Sequence, residues 1–127
     1  MAINTKNFSV KEFECHCGCG TNLIDQRVMD MCQTIRDRLG EPVRVNSGYR
    51  CDKHNASVGG VRNSNHTQGL AADITCSAGG KKLFAVIADL KARGELPDLR
   101  YAILYITKNF VHIDCGKERS ILFEIRP

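Results

Sequence analysis

The spacing of apolar residues follows two different periods along the chain, and this limits the folds that the chain can adopt. Apolar residues recur at steps of three and four in residues 23–39 and again in residues 81–93, as on the buried face of a helix. A glycine and a proline follow each segment closely, where a helix would end. These two segments therefore predict two amphipathic helices.

Shorter segments carry a strand pattern. In residues 69–76, Leu70, Ala72 and Ile74 alternate with Asp73, so a half-buried strand would turn Asp73 away from the apolar face. Further strands are predicted from the β-branched and aromatic residues in four segments: 42–46, 101–106, 110–115 and 121–125. The segments 101–106 and 110–115 predict an antiparallel hairpin closed by a tight turn at 107–109.

The arrangement of these segments predicts an α+β fold, with helices packed on one side of a mainly antiparallel sheet. Residues 51–65, which are rich in glycine, asparagine and serine, predict a polar loop. The 127 residues contain no repeat or linker, so we expect one domain spanning residues 1–127. We expect this domain to be a monomer.

Composition excludes several classes of partner. No long uncharged apolar run is present, so membrane insertion is not expected. The formal net charge is +4, but the basic residues are scattered among acids, which argues against a nucleic acid partner. The N-terminal residues lack the basic start and apolar stretch of an export signal, so we expect cytoplasmic synthesis.

Seven cysteines cannot all pair within one chain, and three of them lie in the segment CHCGCG as Cys15, Cys17 and Cys19. A structural zinc ion needs four ligands, and such close neighbours would need a distant group such as Cys51 to surround it. Reduced thiols that are buried or lie in loops are therefore the main expectation for this cluster. A second metal site is the alternative.

Three residues are candidate ligands of a catalytic zinc ion, which takes histidine nitrogen and carboxylate oxygen atoms. His66 ends the polar loop, and the strand that follows carries Asp73. His112 is the natural third candidate because it is the other histidine on a predicted strand, although a hydrogen-bonded histidine in a sheet has the same pattern. His16 and His54 are expected to be solvated or to cap turns.

The segments SGYR, HNASVGG, SNHTQGLAAD and VHID together resemble the M15 metallopeptidase family of D-Ala-D-Ala carboxypeptidases and peptidoglycan endopeptidases. The resemblance spans residues 43–115, and the pattern S-x-H-x-x-G-x-A-x-D is fully matched from Ser64 to Asp73. It implies the fold shared by these peptidases and the hedgehog signalling domain. It also implies Zn²⁺ ligands at His66, Asp73 and His112.

The resemblance also implies substrate contacts. Arg50 would pair with an acidic group of the substrate, which suits the two parallel hydrogen bonds that a guanidinium forms with a carboxylate. Ser64 would contact the substrate or stabilise its own loop. The implied activity is hydrolysis of peptide bonds in peptidoglycan stem peptides or cross-links, by a carboxypeptidase or an endolysin-type endopeptidase released to the cell wall. A non-catalytic zinc-containing module of the same fold is the alternative.

One position departs from several relatives, in which an acid three residues before the last histidine ligand acts as general base. That position is Asn109 here, and an amide cannot accept the proton. Asp114, two residues after His112 on the same strand face, is the expected replacement as catalytic residue. The alternatives are that Asp114 orients His112 instead, or that the more distant Glu118 is the base.

Overall fold

The computed structural model describes residues 2–127. Its elements are α1 (Gln26–Leu39), β1 (Val43–Ser47), α2 (Asp52–Ser57), β2 (Ala71–Cys76), α3 (Gly80–Ala92), β3 (Tyr101–Tyr105), β4 (Phe110–Asp114) and β5 (Phe123–Arg126). Two single turns of 3₁₀ helix, Val10–Phe13 and Asn65–Gln68, precede α1 and β2 respectively. No helix in the described residues is both long enough and apolar enough to cross a membrane.

The five strands form one sheet in the order β1-β2-β4-β3-β5. The first three neighbouring pairs are antiparallel, and β5 runs parallel to β3 at the edge. The predicted α+β class with a mainly antiparallel sheet is therefore confirmed. The predicted hairpin also forms, because Asn109 adopts the left-handed conformation (φ 58°) that its tight turn requires.

One face of the sheet packs against the two long helices. Ala72 lies opposite Ile113 and Ile74 lies opposite Val111, and all four side chains are fully buried. Helix α1 contributes Ile35 to this core, and α3 contributes further aliphatic residues. Burying one such large side chain stabilises the fold by about 1.5–3 kcal/mol, so this face fixes the register of the strands.

The opposite face of the sheet carries the polar residues. The register places Asp73 beside Ser47 on one side and His112 on the other, with Ile103 beyond His112. The prediction that β2 is half-buried was wrong, since its first four residues are buried on both faces. The cause is the 3₁₀ turn Asn65–Gln68, which packs against β2 and whose His66 side chain lies 3.3 Å from the Asp73 carboxylate.

The segment predicted as a polar loop contains a short helix, α2. Cys51 begins it, with its sulfur atom accepting a hydrogen bond from the His54 N–H at 3.4 Å. His54 therefore lies on a helix, and Asn55 in the same helix is buried. Periodicity gave no signal for α2, because a six-residue polar helix is too short to show an apolar stripe.

Gly69 joins the 3₁₀ turn to β2 under a tight steric constraint. Its φ is +73°, and a Cβ atom there would lie 1.8 Å from the Leu23 carbonyl oxygen. The Gly69 carbonyl in turn accepts a hydrogen bond of 2.8 Å from the Asp25 N–H, at the start of α1. The chain entering β2 is thus held directly against the segment entering α1.

Gly69→Ala should lower the free energy of unfolding by about 3 kcal/mol, because the left-handed conformation and a backbone clash both oppose the added methyl group. Gly94→Ala is the matched control, since Gly94 has φ +74° but open space around a Cβ atom. Urea unfolding of Gly94→Ala should show only the conformational cost of about 1–2 kcal/mol. Equal losses in the two variants would contradict the clash with Leu23.

Candidate metal centre

His66 is oriented by the backbone around it. The Ser64 hydroxyl accepts a hydrogen bond from the His66 N–H at 3.2 Å and so caps the 3₁₀ turn. The His66 Nδ1 atom lies 2.7 Å from the Gly48 carbonyl oxygen. A carbonyl oxygen only accepts, so Nδ1 carries a proton, and Nε2 is the ring nitrogen that faces Asp73.

Asp73 and His112 are cross-strand neighbours on β2 and β4. The Asp73 Oδ1 atom lies 3.0 Å from His112 Nδ1 and 3.3 Å from His66 Nε2. One ligand atom from each of the three residues falls within 4.8 Å of the others. Two atoms bound about 2.1 Å from a tetrahedral zinc ion lie about 3.4 Å apart, so the three residues fit such an ion.

Asp114 lies on the far side of the His112 ring from Asp73. Its Oδ2 atom is 2.7 Å from His112 Nε2, whereas His112 Nδ1 faces Asp73. The Asp114 side chain is almost fully buried, and its Oδ1 atom accepts a hydrogen bond from the Gly116 N–H at 3.3 Å. A carboxylate bonded to the second nitrogen of a histidine fixes its ring orientation and tautomer.

Arg50 contacts the other oxygen of Asp73. Its Nη2 atom lies 3.2 Å from Asp73 Oδ2, while Nε donates to the Ser47 hydroxyl and Nη1 to Asn55 Oδ1, both at 3.0 Å. These contacts use three of the five N–H donors of a guanidinium. Two donors are left for another partner, and the side chain is 14% exposed.

Asn55 is a residue of this site that sequence reasoning missed. Its Nδ2 atom donates to the Val61 carbonyl oxygen at 2.9 Å, while its Oδ1 atom accepts from Arg50. A Cβ atom at Gly60 would lie 2.1 Å from Asn55 Oδ1, so only glycine leaves room for this side chain. The available signal was the position of Asn55 within HNASVGG, a segment that carries part of the resemblance to the M15 family but in which no role was assigned to Asn55.

Burial and hydrogen bonding oppose each other in setting the charges of the site. Burial raises the pKa of Asp73, but the hydrogen bonds and positive charges of His112 and His66 lower it more, so this pKa lies well below its usual value. Burial lowers the pKa of His112, but the hydrogen bonds to Asp114 and Asp73 raise it to about 9. The carboxylate of Asp73 is therefore charged at neutral pH.

The cluster opens into a groove of about 560 Å³. The groove is lined by His66, Asp73 and His112 together with Arg50, Ser64 and Asp114. Its lining also contains three further cationic residues, Lys108, Arg119 and Arg126, of which Arg119 places its guanidinium 4.1 Å from the centre of the Tyr101 ring. Among the described residues, the cations lining this groove outnumber the two carboxylates.

The remaining sequence candidates lie elsewhere. Asn109 is exposed in the hairpin turn, and its Oδ1 atom accepts a hydrogen bond from the Gly80 N–H at 2.7 Å, at the start of α3. Glu118 is exposed and is not among the residues lining the groove. The rings of His16 and His54 lie 6.2 Å apart, and neither lines the groove.

Comparison with known protein families identifies a match over most of the chain. The family model described as Peptidase M15 matches residues 6–114, a range that contains Arg50 and all three candidate ligands and ends at Asp114. A comparison with curated proteins gave no match. Because the family match covers most of the chain, the chain belongs to the M15 family of peptidases, whose general activity is hydrolysis of a peptide bond.

Proposed function

We propose that the chain is a zinc-dependent peptidase that cleaves peptide bonds in peptidoglycan stem peptides or their cross-links. The observation that carries this proposal is the convergence of two imidazole nitrogens and one carboxylate oxygen within 4.8 Å beside a groove. Two histidines and one carboxylate form a donor set that catalytic zinc uses. Zinc bound there would supply Lewis-acid activation of a carbonyl group and of water.

In this proposal the three ligands are His66 through Nε2, Asp73 through Oδ1, and His112 through Nδ1. The second polar atom of each ligand side chain is also hydrogen-bonded. His66 Nδ1 contacts the Gly48 carbonyl oxygen, and Asp73 Oδ2 contacts Arg50. His112 Nε2 contacts Asp114. Such support keeps each lone pair directed at the metal. Metal binding would also displace the proton from His112 Nδ1.

The charge of the groove supports an anionic peptide as substrate. Arg50 retains two N–H donors, and Lys108, Arg119 and Arg126 add positive charge along the lining. Stem peptides carry free carboxylates, which a guanidinium binds through two parallel hydrogen bonds. In a carboxypeptidase Arg50 would clamp the terminal carboxylate, whereas in an endopeptidase it would bind a side-chain or internal carboxylate.

In this proposal Ser64 caps the 3₁₀ turn that carries His66, at the wall of this groove.

The zinc-loaded protein should cleave defined muropeptides, and a chelator should abolish cleavage until zinc is restored. Mass spectrometry of the products identifies the bond, because loss of a terminal residue indicates a carboxypeptidase and internal cleavage an endopeptidase. His66→Ala combined with His112→Ala removes two of the three ligands, so this variant should be inactive and should hold one zinc ion fewer than the native chain.

Two results would contradict the proposal. Intact muropeptides after incubation with the zinc-loaded native protein would favour the non-catalytic module. A zinc content that is unchanged in the double variant would remove His66 and His112 from the metal site.

Arg50→Lys should keep the fold but lower kcat/KM by about 10-fold or more, because a lysine cannot donate to Ser47, Asn55, Asp73 and a substrate carboxylate together. Arg44→Lys is the matched control, since Arg44 is exposed on β1 and does not line the groove. Steady-state kinetics on the same muropeptide tests both variants. An unchanged kcat/KM for Arg50→Lys would show that Arg50 does not bind the substrate.

The assignment of Asp114 as the proton acceptor stays a prediction, while its contacts support the orienting role. Replacing Asp114 by Asn should weaken zinc binding by about 10–100-fold, because an amide is a poorer partner for the His112 Nε2–H group. At saturating zinc, turnover should then recover most of the native rate. Zinc competition with a chelating dye and kcat at saturating zinc separate the two roles.

The opposite pattern would identify Asp114 as the general base. In that case zinc affinity would be unchanged, and kcat would fall by about 10²-fold or more at every zinc concentration.

A further inference from the structure

A second group of ligand atoms lies outside the groove, and it consists of sulfur alone. The sulfur atoms of Cys15, Cys17, Cys19 and Cys51 all lie within 4.8 Å of one another. Cys15 is 3.4 Å from Cys17 and 3.7 Å from Cys51, and Cys17 is 3.5 Å from Cys51. Four thiols from two distant parts of the chain thus meet at one point.

These distances fit a shared tetrahedral ion. A sulfur atom binds zinc at about 2.3 Å, so two sulfurs on a tetrahedral ion lie about 3.8 Å apart. A disulfide needs about 2.05 Å, and all four cysteines are free thiols. A cluster of four thiolates in tetrahedral arrangement is typical of structural zinc or of iron.

Backbone N–H groups donate hydrogen bonds to two of the four sulfur atoms. The Cys51 N–H group donates to the Cys15 sulfur and the His54 N–H group donates to the Cys51 sulfur, both at 3.4 Å. The thiolate is the form that binds a metal.

The backbone also explains how three such close cysteines reach one point. Gly18 and Gly20 both have positive φ, at +78° and +77°, so the chain curls between and after the last two cysteines. Cys51 then supplies the distant fourth ligand that the short spacing requires.

We propose that Cys15, Cys17, Cys19 and Cys51 bind one structural Zn²⁺ ion, separate from the ion proposed at His66, Asp73 and His112. All four coordination positions would be filled by protein, which is the arrangement of a structural site and not of a catalytic one. The ion replaces the thiol protons and crosslinks residues 15–19 to Cys51.

The crosslink would fix residues 48–50, which contact two of the candidate ligands in the groove. The Tyr49 N–H group donates to the Phe13 carbonyl oxygen at 2.8 Å, and a Cβ atom at Gly48 would lie 2.7 Å from the Phe13 backbone. The Gly48 carbonyl oxygen contacts His66, and Arg50 contacts Asp73. Both Gly48 and Arg50 lie within three residues of Cys51 in the chain. This positioning role rests on the proposed peptidase function, whereas the metal site itself does not.

Metal analysis of protein purified under reducing conditions tests the site. The native chain should hold two zinc ions, and His66→Ala combined with His112→Ala should hold one. Cys17→Ser combined with Cys19→Ser should also hold one, at the other site. Cys76→Ser is the control, because Cys76 is a partly buried thiol outside both groups, and it should hold two.

Cobalt replacement identifies the ligands even where a cysteine variant fails to fold. The His66→Ala, His112→Ala protein keeps all four thiols, so its cobalt form should show the near-ultraviolet absorption of sulfur-to-cobalt charge transfer. Absence of this band, iron in place of zinc, or an intact mass showing disulfides among these cysteines would overturn the proposal. If the Cys17→Ser, Cys19→Ser variant keeps its other zinc and full kcat/KM, the positioning role alone is overturned.

Discussion

The buried carboxylate of Asp73 is the interaction on which the candidate site depends. Its residue is only 8% exposed, and an unpaired charge at such a depth would cost several kcal/mol. Oδ1 faces both His66 and His112, and Oδ2 faces Arg50. One charge therefore holds three separate parts of the chain, namely the 3₁₀ turn, β4 and the segment after β1, in a single arrangement.

The core on the other face of the sheet sets this arrangement. Strands alternate, so the burial of Ala72 and Ile74 against Ile113 and Val111 forces Asp73 and His112 onto the polar face. A register slip of one residue in β4 would move His112 away from Asp73 and place it among the aliphatic side chains. The apolar packing thus determines where the polar groups meet.

This dependence explains which features could be predicted from the sequence. The two long helices, the hairpin and the face of Asp73 follow from local period, and the motif from Ser64 to Asp73 identifies the family. The parallel pairing of β5, the burial of Asn55 and the approach of Cys51 to Cys15 depend on long-range contacts that leave no periodic signal. The alternation also placed Asp114 beside His112, but which ring nitrogen it contacts is set by the fold.

The segment that covers the polar face lacks apolar anchoring. In residues 51–65 the valines Val58 and Val61 are 55% and 78% exposed, so this stretch contributes little to the core. It is fixed instead by polar contacts: Asn55 with Arg50, the Ser64 cap on His66, and the thiols around Cys51. Such contacts are individually weak in water, because folding exchanges them for bonds to solvent. A metal crosslink at Cys51 would stabilise this segment where hydrophobic burial cannot, and it would do so one residue from Arg50.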